Sequence, residues 1–153
     1  LNSGLFQNCD NLQKVNFHNE ITSIGTFAFR NCTALTYISL PELITAVPEG
    51  LFTGCRLLES VTIPARVKTI YHSSNNSTSN IFYGCISLKE LIMLPETPPT
   101  NSYSSSHTGT YFISDAHPSA NIKVPTGSLE AYKASSFWKP LASKILAIET
   151  EKE

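Results

Sequence analysis

The chain is predicted to fold as a right-handed α/β solenoid, mostly β with short helical turns. Its parallel strands should stack into a ladder closed by a C-terminal helical cap. Two observations predict this. The phrase Phe-x-x-Cys-x-x-Leu-x-x-aliphatic-x-apolar occurs four times: Phe6, Cys9, Leu12, Val15, Phe17; Phe29, Cys32, Leu35, Ile38, Leu40; Phe52, Cys55, Leu58, Val61, Ile63; and Phe82, Cys85, Leu88, Leu91, Met93. The first three copies start 23 residues apart and the fourth starts 30 after the third. A repeat of this length means one coil per copy, each coil stacking on the next because none can bury its apolar face alone.

Each slot of the repeat has a reason. Asn8, Asn31, Gly54 and Gly84 precede the four Cys. Asn and Gly tolerate positive φ, so a left-handed residue is expected there, just before Cys turns inward. That turn explains Asn31 better than the glycosylation sequon Asn31-Cys32-Thr33 does. Cys9, Cys32, Cys55 and Cys85 share one slot between an inward Phe and an inward Leu. A disulfide framework need not follow a repeat period, whereas a core position must. All four are therefore expected as buried core thiols, with no disulfide. No close pair such as C-x2-C supports zinc.

The strands come next. Val15 and Phe17, Ile38 and Leu40, Val61 and Ile63, and Leu91 and Met93 alternate inward. Pro41 and Pro64 end their strands directly and Pro95 comes one residue late, since proline cannot donate to a ladder. A second apolar stretch, Ile21/Ile24, Ile44/Val47 and Val67/Ile70, crosses the far side of each coil. The Ala28-Phe29 region should form one helical turn or a 3₁₀ segment. The third coil gains seven polar residues within 71–80, read as a loop on one face. A Pro, Ser, Thr and Tyr-rich stretch from Thr97 to Tyr111 delays a fifth strand, Ile122-x-Val124. In the tail, Gly127–Ala134 has helical composition with Thr126 as a candidate cap. Ile145, Leu146 and Ile148 suggest a final strand. Trp138 is expected in the core rather than as a sugar-stacking platform. Residues 1–125 are thus the repeats, about five coils with irregular loops near 71–80 and 96–119, and 126–153 cap the same domain.

Composition narrows the function. Charged residues make up 15% of the 153, against roughly 25% in ordinary soluble domains. The net charge is −1 and no basic stripe exists, which argues against nucleic acid. No apolar run is long enough to span a bilayer. The first repeat opens at Phe6 without a leader or polar cap before it, so a longer parent chain is expected. Of the four His, His18 sits at a strand end, His72 and His107 lie in the two irregular loops, and His117 stands apart. Their spacing supports no metal site. The motifs His-Glu-x-x-His, Gly-x-Ser-x-Gly and a phosphate-cradling Gly loop are absent. Glu59 and Glu90 fall on adjacent strands one slot out of register, which suggests no acid/base pair.

These repeats resemble leucine-rich repeats of the BspA-like class, surface and secreted proteins of gut Bacteroidetes. The likeness rests on Phe-x-x-Cys-x-x-Leu, the strand closed by Pro and the run Ile24-x-x-x-Ala28-Phe29. It also rests on the tail Val124-Pro125-x-Gly127-Ser128-x-x-Ala131-Tyr132, with Trp138 beyond it. The resemblance implies a horseshoe-like leucine-rich-repeat solenoid, secretion or display at the cell surface, and binding of host or bacterial surface proteins. It carries over no catalytic residue and no cofactor, so the protein is not expected to be an enzyme.

Binding is then expected on the outward face of the ladder. One column reads Lys14, Tyr37, Ser60, Glu90 and Asn121, the next Asn16, Ser39, Thr62, Ile92 and Lys123. Solenoids bind through such extended faces, and an exposed Tyr is a good anchor. A second reading is a carbohydrate-binding or accessory module using Tyr71, Asn75, Asn76, Tyr103 and Tyr111. A third is a structural spacer.

Overall fold

The computed structural model describes residues 1–71, 79–102, 109 and 112–149. Its strands are short: β1 (Tyr37–Ser39), β2 (Ala46–Val47), β3 (Ser60–Ile63), β4 (Thr69–Ile70), β5 (Glu90–Met93), β6 (Thr100–Asn101), β7 (Asn121–Val124) and β8 (Ile145–Ala147). They form a five-stranded sheet in the order β1-β3-β5-β7-β8 and a three-stranded sheet in the order β2-β4-β6. All pairs are parallel, because each strand meets its counterpart one coil later. Alternation sends one row inward: Ile38, Val61, Leu91, Ile122 and Ile145 stand opposite one another in register, and all are buried.

The second sheet gives the far-side apolar stretch its structure. Val47 pairs with Ile70, and Ile70 with Asn101. Thr100–Asn101 lies inside the segment read from sequence as an irregular loop near 96–119. It becomes a strand because Thr100 N–H donates to Lys68 O at 3.0 Å and Ser102 N–H to Ile70 O at 3.2 Å.

A third side of each coil is made of turns rather than the single helical turn or 3₁₀ segment expected around Ala28-Phe29. Bonds such as Arg30 N–H to Phe27 O and Cys32 N–H to Phe29 O close successive turns. Left-handed residues interrupt any helix: Asn8, Asn31, Gly54 and Gly84 have φ of 63°, 58°, 78° and 73°. In this conformation alternate N–H groups aim at the next coil. Asn8 donates to Arg30 O, Asn31 to Thr53 O and Gly54 to Tyr83 O, at 2.8, 2.7 and 2.7 Å. At Gly84 the acceptor is the Asp115 carboxylate, 2.9 Å away. Asn31 Nδ2 also donates to Asn8 Oδ1 at 2.9 Å. A Cβ at position 54 would stand 2.1 Å from Asn31 Oδ1 at a φ of 78°, so the slot above Asn31 favours glycine.

The repeated Phe side chains stack through the core. Ring centroids lie 5.4 Å apart for Phe6–Phe29, 5.9 Å for Phe29–Phe52 and 5.8 Å for Phe52–Phe82. Phe112 continues the row edge-on and meets Phe137 and Trp138 of the tail. The tail runs through a 3₁₀ turn (Thr126–Ser128), helix α1 (Leu129–Ala134) and a second 3₁₀ stretch (Lys139–Lys144) into β8. Thr126 does not cap the helix; its hydroxyl donates to Ile148 O at 3.2 Å. Trp138 is fully buried, which rules out a role as an open sugar platform.

Two expectations for the first coil need correction. Residues 15–17 form no strand, and Val15 and Phe17 are only half-buried. Cys9 is exposed, unlike Cys32, Cys55 and Cys85. The reason is shared. Each of the other thiols donates to the carbonyl of the Phe one coil earlier: Cys32 to Phe6, Cys55 to Phe29 and Cys85 to Phe52, at 3.1, 3.0 and 3.1 Å. Within residues 1–153 the first coil has a neighbour on its later side only, and its turn bonds carry that contact. Burial pushes the Cys32 thiol up to about 11 and the Cys55 thiol up to about 12, and raises Cys85 as well.

Candidate functional site

The outward face of the five-stranded sheet is set by the same alternation that fills the core. Residues between the buried rows must point away from it. The register places Tyr37, Ser60, Glu90 and Asn121 side by side in one column, and Ser39, Thr62, Ile92 and Lys123 in the next. Two sequence-chosen residues are not on a strand. Lys14 nonetheless reaches Tyr37, its Nζ lying 6.0 Å from the ring centroid, at the edge of cation–π range. Asn16 lines a corner groove of about 500 Å³ together with Ser39.

The face is graded. At its β1 end it is open: Tyr37 is 52% exposed and Ser39 is exposed. Towards β7 it is half-buried, with Ile92 flanked by Thr62 and Lys123. Charges knit the columns together. Lys123 pairs diagonally with Glu90, whose hydrogen bond and negative charge raise the lysine's pKa. Lys89 pairs with Glu59 at 3.4 Å, just before the strands begin. Both pairs are solvent-accessible, so they orient side chains rather than add much stability. Hydroxyls, one aromatic ring, one aliphatic side chain and paired charges equip this face for non-covalent contact.

The remaining sequence candidates are dispersed. His18 is exposed and lies 3.8 Å from Glu20. His117 Nδ1 is 2.7 Å from Ser119 Oγ. His72, His107, Asn75, Asn76, Tyr103 and Tyr111 lie outside the described residues. Among the described residues no His, Cys, Asp and Glu side chains gather as a metal site, and no helix is long and apolar enough to cross a membrane. Sequence reasoning overlooked a groove where β3 and β5 turn toward β4 and β6. Its signal was the displaced proline: Leu94 stands between Met93 and Pro95, where earlier coils have no such residue.

The family described as BspA type leucine rich repeat region matches residues 1–110, in six copies. Among solved structures, a leucine rich cell surface protein from Faecalibacterium prausnitzii A2-165 is similar over 99% of this chain, with a TM-score of 0.57 and 26% identity. This chain spans 30% of that one. No curated protein matches.

Proposed function

From the premise that the chain belongs to the BspA-type leucine-rich repeat family, we propose that it is the binding part of a secreted or surface-displayed adhesion protein. On this reading its coils wind as a right-handed solenoid, the hand that parallel crossovers favour, and residues 126–153 cap it. It holds a host or bacterial surface protein non-covalently and catalyses no reaction.

The observation that carries the reading is the pair of outward columns fixed by strand register. They sit on a buried core with paired backbones, which holds the contact groups in place and limits the entropy lost on binding. Tyr37 offers a large amphipathic anchor, and Ile92 interrupts an otherwise polar column. The described cell-surface protein of similar structure supports a surface setting.

The test is affinity capture from extracellular-matrix and bacterial surface extracts, with a glycan array beside it. The Tyr37→Ala/Ile92→Ala double variant should lose about tenfold or more in affinity for a captured protein. Its melting temperature should fall only slightly, since Tyr37 is exposed and the half-buried Ile92 points away from the core. Undiminished capture by the double variant would remove the ladder as the site. Glycan binding without protein capture would overturn the protein-adhesion reading itself.

A further inference from the structure

Leu94 is an added residue at a corner. In the second and third coils the proline follows the last inward residue directly, as Leu40-Pro41 and Ile63-Pro64. In the fourth, Leu94 comes between. Its N–H still extends the ladder, donating to Ile63 O at 3.0 Å. Its side chain falls on the outward parity and is 38% exposed. Beyond Pro95 the earlier spacing returns, and Thr100 again faces Thr69. At this corner a groove of about 780 Å³ opens between the third and fourth coils.

The two walls differ in chemistry. One is stiff, with Leu94, Pro95 and Pro98 as its apolar part beside Glu96, Thr97 and Thr100. It is braced from behind: Tyr132 Oη donates to Pro95 O at 2.9 Å, and Trp138 Nε1 to Pro99 O at 2.8 Å. Fixed proline φ angles and these buried bonds hold the wall in one shape before any ligand arrives. The other wall presents Arg66 and Lys68, both exposed, on either side of the buried Val67. Neither cation forms an ion pair among the described residues. The single acid in the lining, Glu96, leaves the groove with an excess of positive charge.

We propose that this groove binds an extended acidic peptide segment of a partner protein. An apolar side chain would seat against Leu94 and the prolines, with carboxylates before and after it on Arg66 and Lys68. Charge complementarity selects the acidic partner, and guanidinium geometry suits a carboxylate. A peptide fits better than an acidic polysaccharide, because no aromatic ring lines the groove for a sugar to stack on. The groove adjoins the ladder at its far edge, and none of the column residues lines it.

Fluorescence anisotropy with a labelled hexapeptide of alternating Glu and Leu would test this. Its Lys/Leu counterpart and oligogalacturonate serve as the two comparators. The acidic peptide should bind about tenfold more tightly than the basic one, and more weakly as salt rises. Arg66→Ala/Lys68→Ala should weaken it about tenfold and Leu94→Ser about threefold, with melting temperatures unchanged. Tyr37→Ala should leave this binding intact, which separates the groove from the ladder. The proposal is overturned if neither peptide binds, if both bind equally, or if the groove variants bind like the parent. Binding of oligogalacturonate alone would also overturn it, in favour of a glycan site.

Discussion

A single slot of the repeat links backbone shape to thiol chemistry. The left-handed Asn or Gly turns the chain so that the next residue, Cys, enters the core and its thiol reaches a carbonyl one coil away. Burial favours the neutral thiol, so Cys32 and Cys55 hold their protons to about pH 11 and 12 in the folded state, against 9.0 ordinarily. An unfolded chain releases them near pH 9, so these groups contribute full stability below pH 9.0 and lose it as pH rises toward 11 and 12. Denaturant midpoints measured from pH 8 to 11 should fall above pH 9. Cys55→Ala should show a shallower fall from a lower starting stability; an unchanged slope would show that other groups cause it. Exposed Cys9 should react promptly with a thiol reagent, and the three buried thiols only on unfolding. The period made all four cysteines look equivalent. Their burial also depends on whether a coil has an earlier neighbour, and no local residue encodes that.

At the scale of elements, stability lies in rows that run across coils. Phe52 stands between two stacked rings and is fully buried, whereas Phe6 touches one such ring and is half-buried. Phe52→Ala should therefore cost about 3–5 kcal/mol in urea unfolding, through lost transfer energy and a cavity with packed walls. Phe6→Ala should cost clearly less. Equal losses would mean that the stack does not transmit support between coils. The main ladder was legible because Ile38, Val61 and Ile122 each sit in an alternating run that ends at a proline, and the repeat period places Leu91 in the same slot. The second sheet was not. Its strands are two residues long, too short for alternation to show. Thr100–Asn101 also carries no apolar signature, and pairs only because Lys68 and Ile70 offer carbonyls to it.

Over the whole molecule, the tail supports both the core and a surface. It covers Phe112 with Phe137 and Trp138, and it reaches back to the Pro95–Pro99 segment through Tyr132 and Trp138. Burying the Tyr132 hydroxyl is tolerable because it donates a hydrogen bond to Pro95 O, and burial holds that phenol well above its usual pKa. Tyr132→Phe removes the donor and leaves a buried carbonyl unpaired. It should cost about 1–3 kcal/mol in thermal or urea unfolding. The same substitution should loosen the groove wall and weaken acidic-peptide binding, while ladder binding stays intact. If both sites weakened equally, the effect would be global softening rather than loss of a brace.

From the sequence alone, this protein's repeat, the left-handed slot before each Cys, its inward rows and the two outward columns could be written down. Each follows from a constraint local to one coil: positive φ favours Asn or Gly, alternation separates faces, and proline ends a strand. Only the tertiary structure decided which coil leaves its cysteine exposed, where the second sheet runs and how the tail braces the Pro95–Pro99 wall. Those outcomes depend on what stands beside a coil in space. Partners such as Tyr132 and Pro95 are 37 residues apart along the chain, and no periodic pattern joins them.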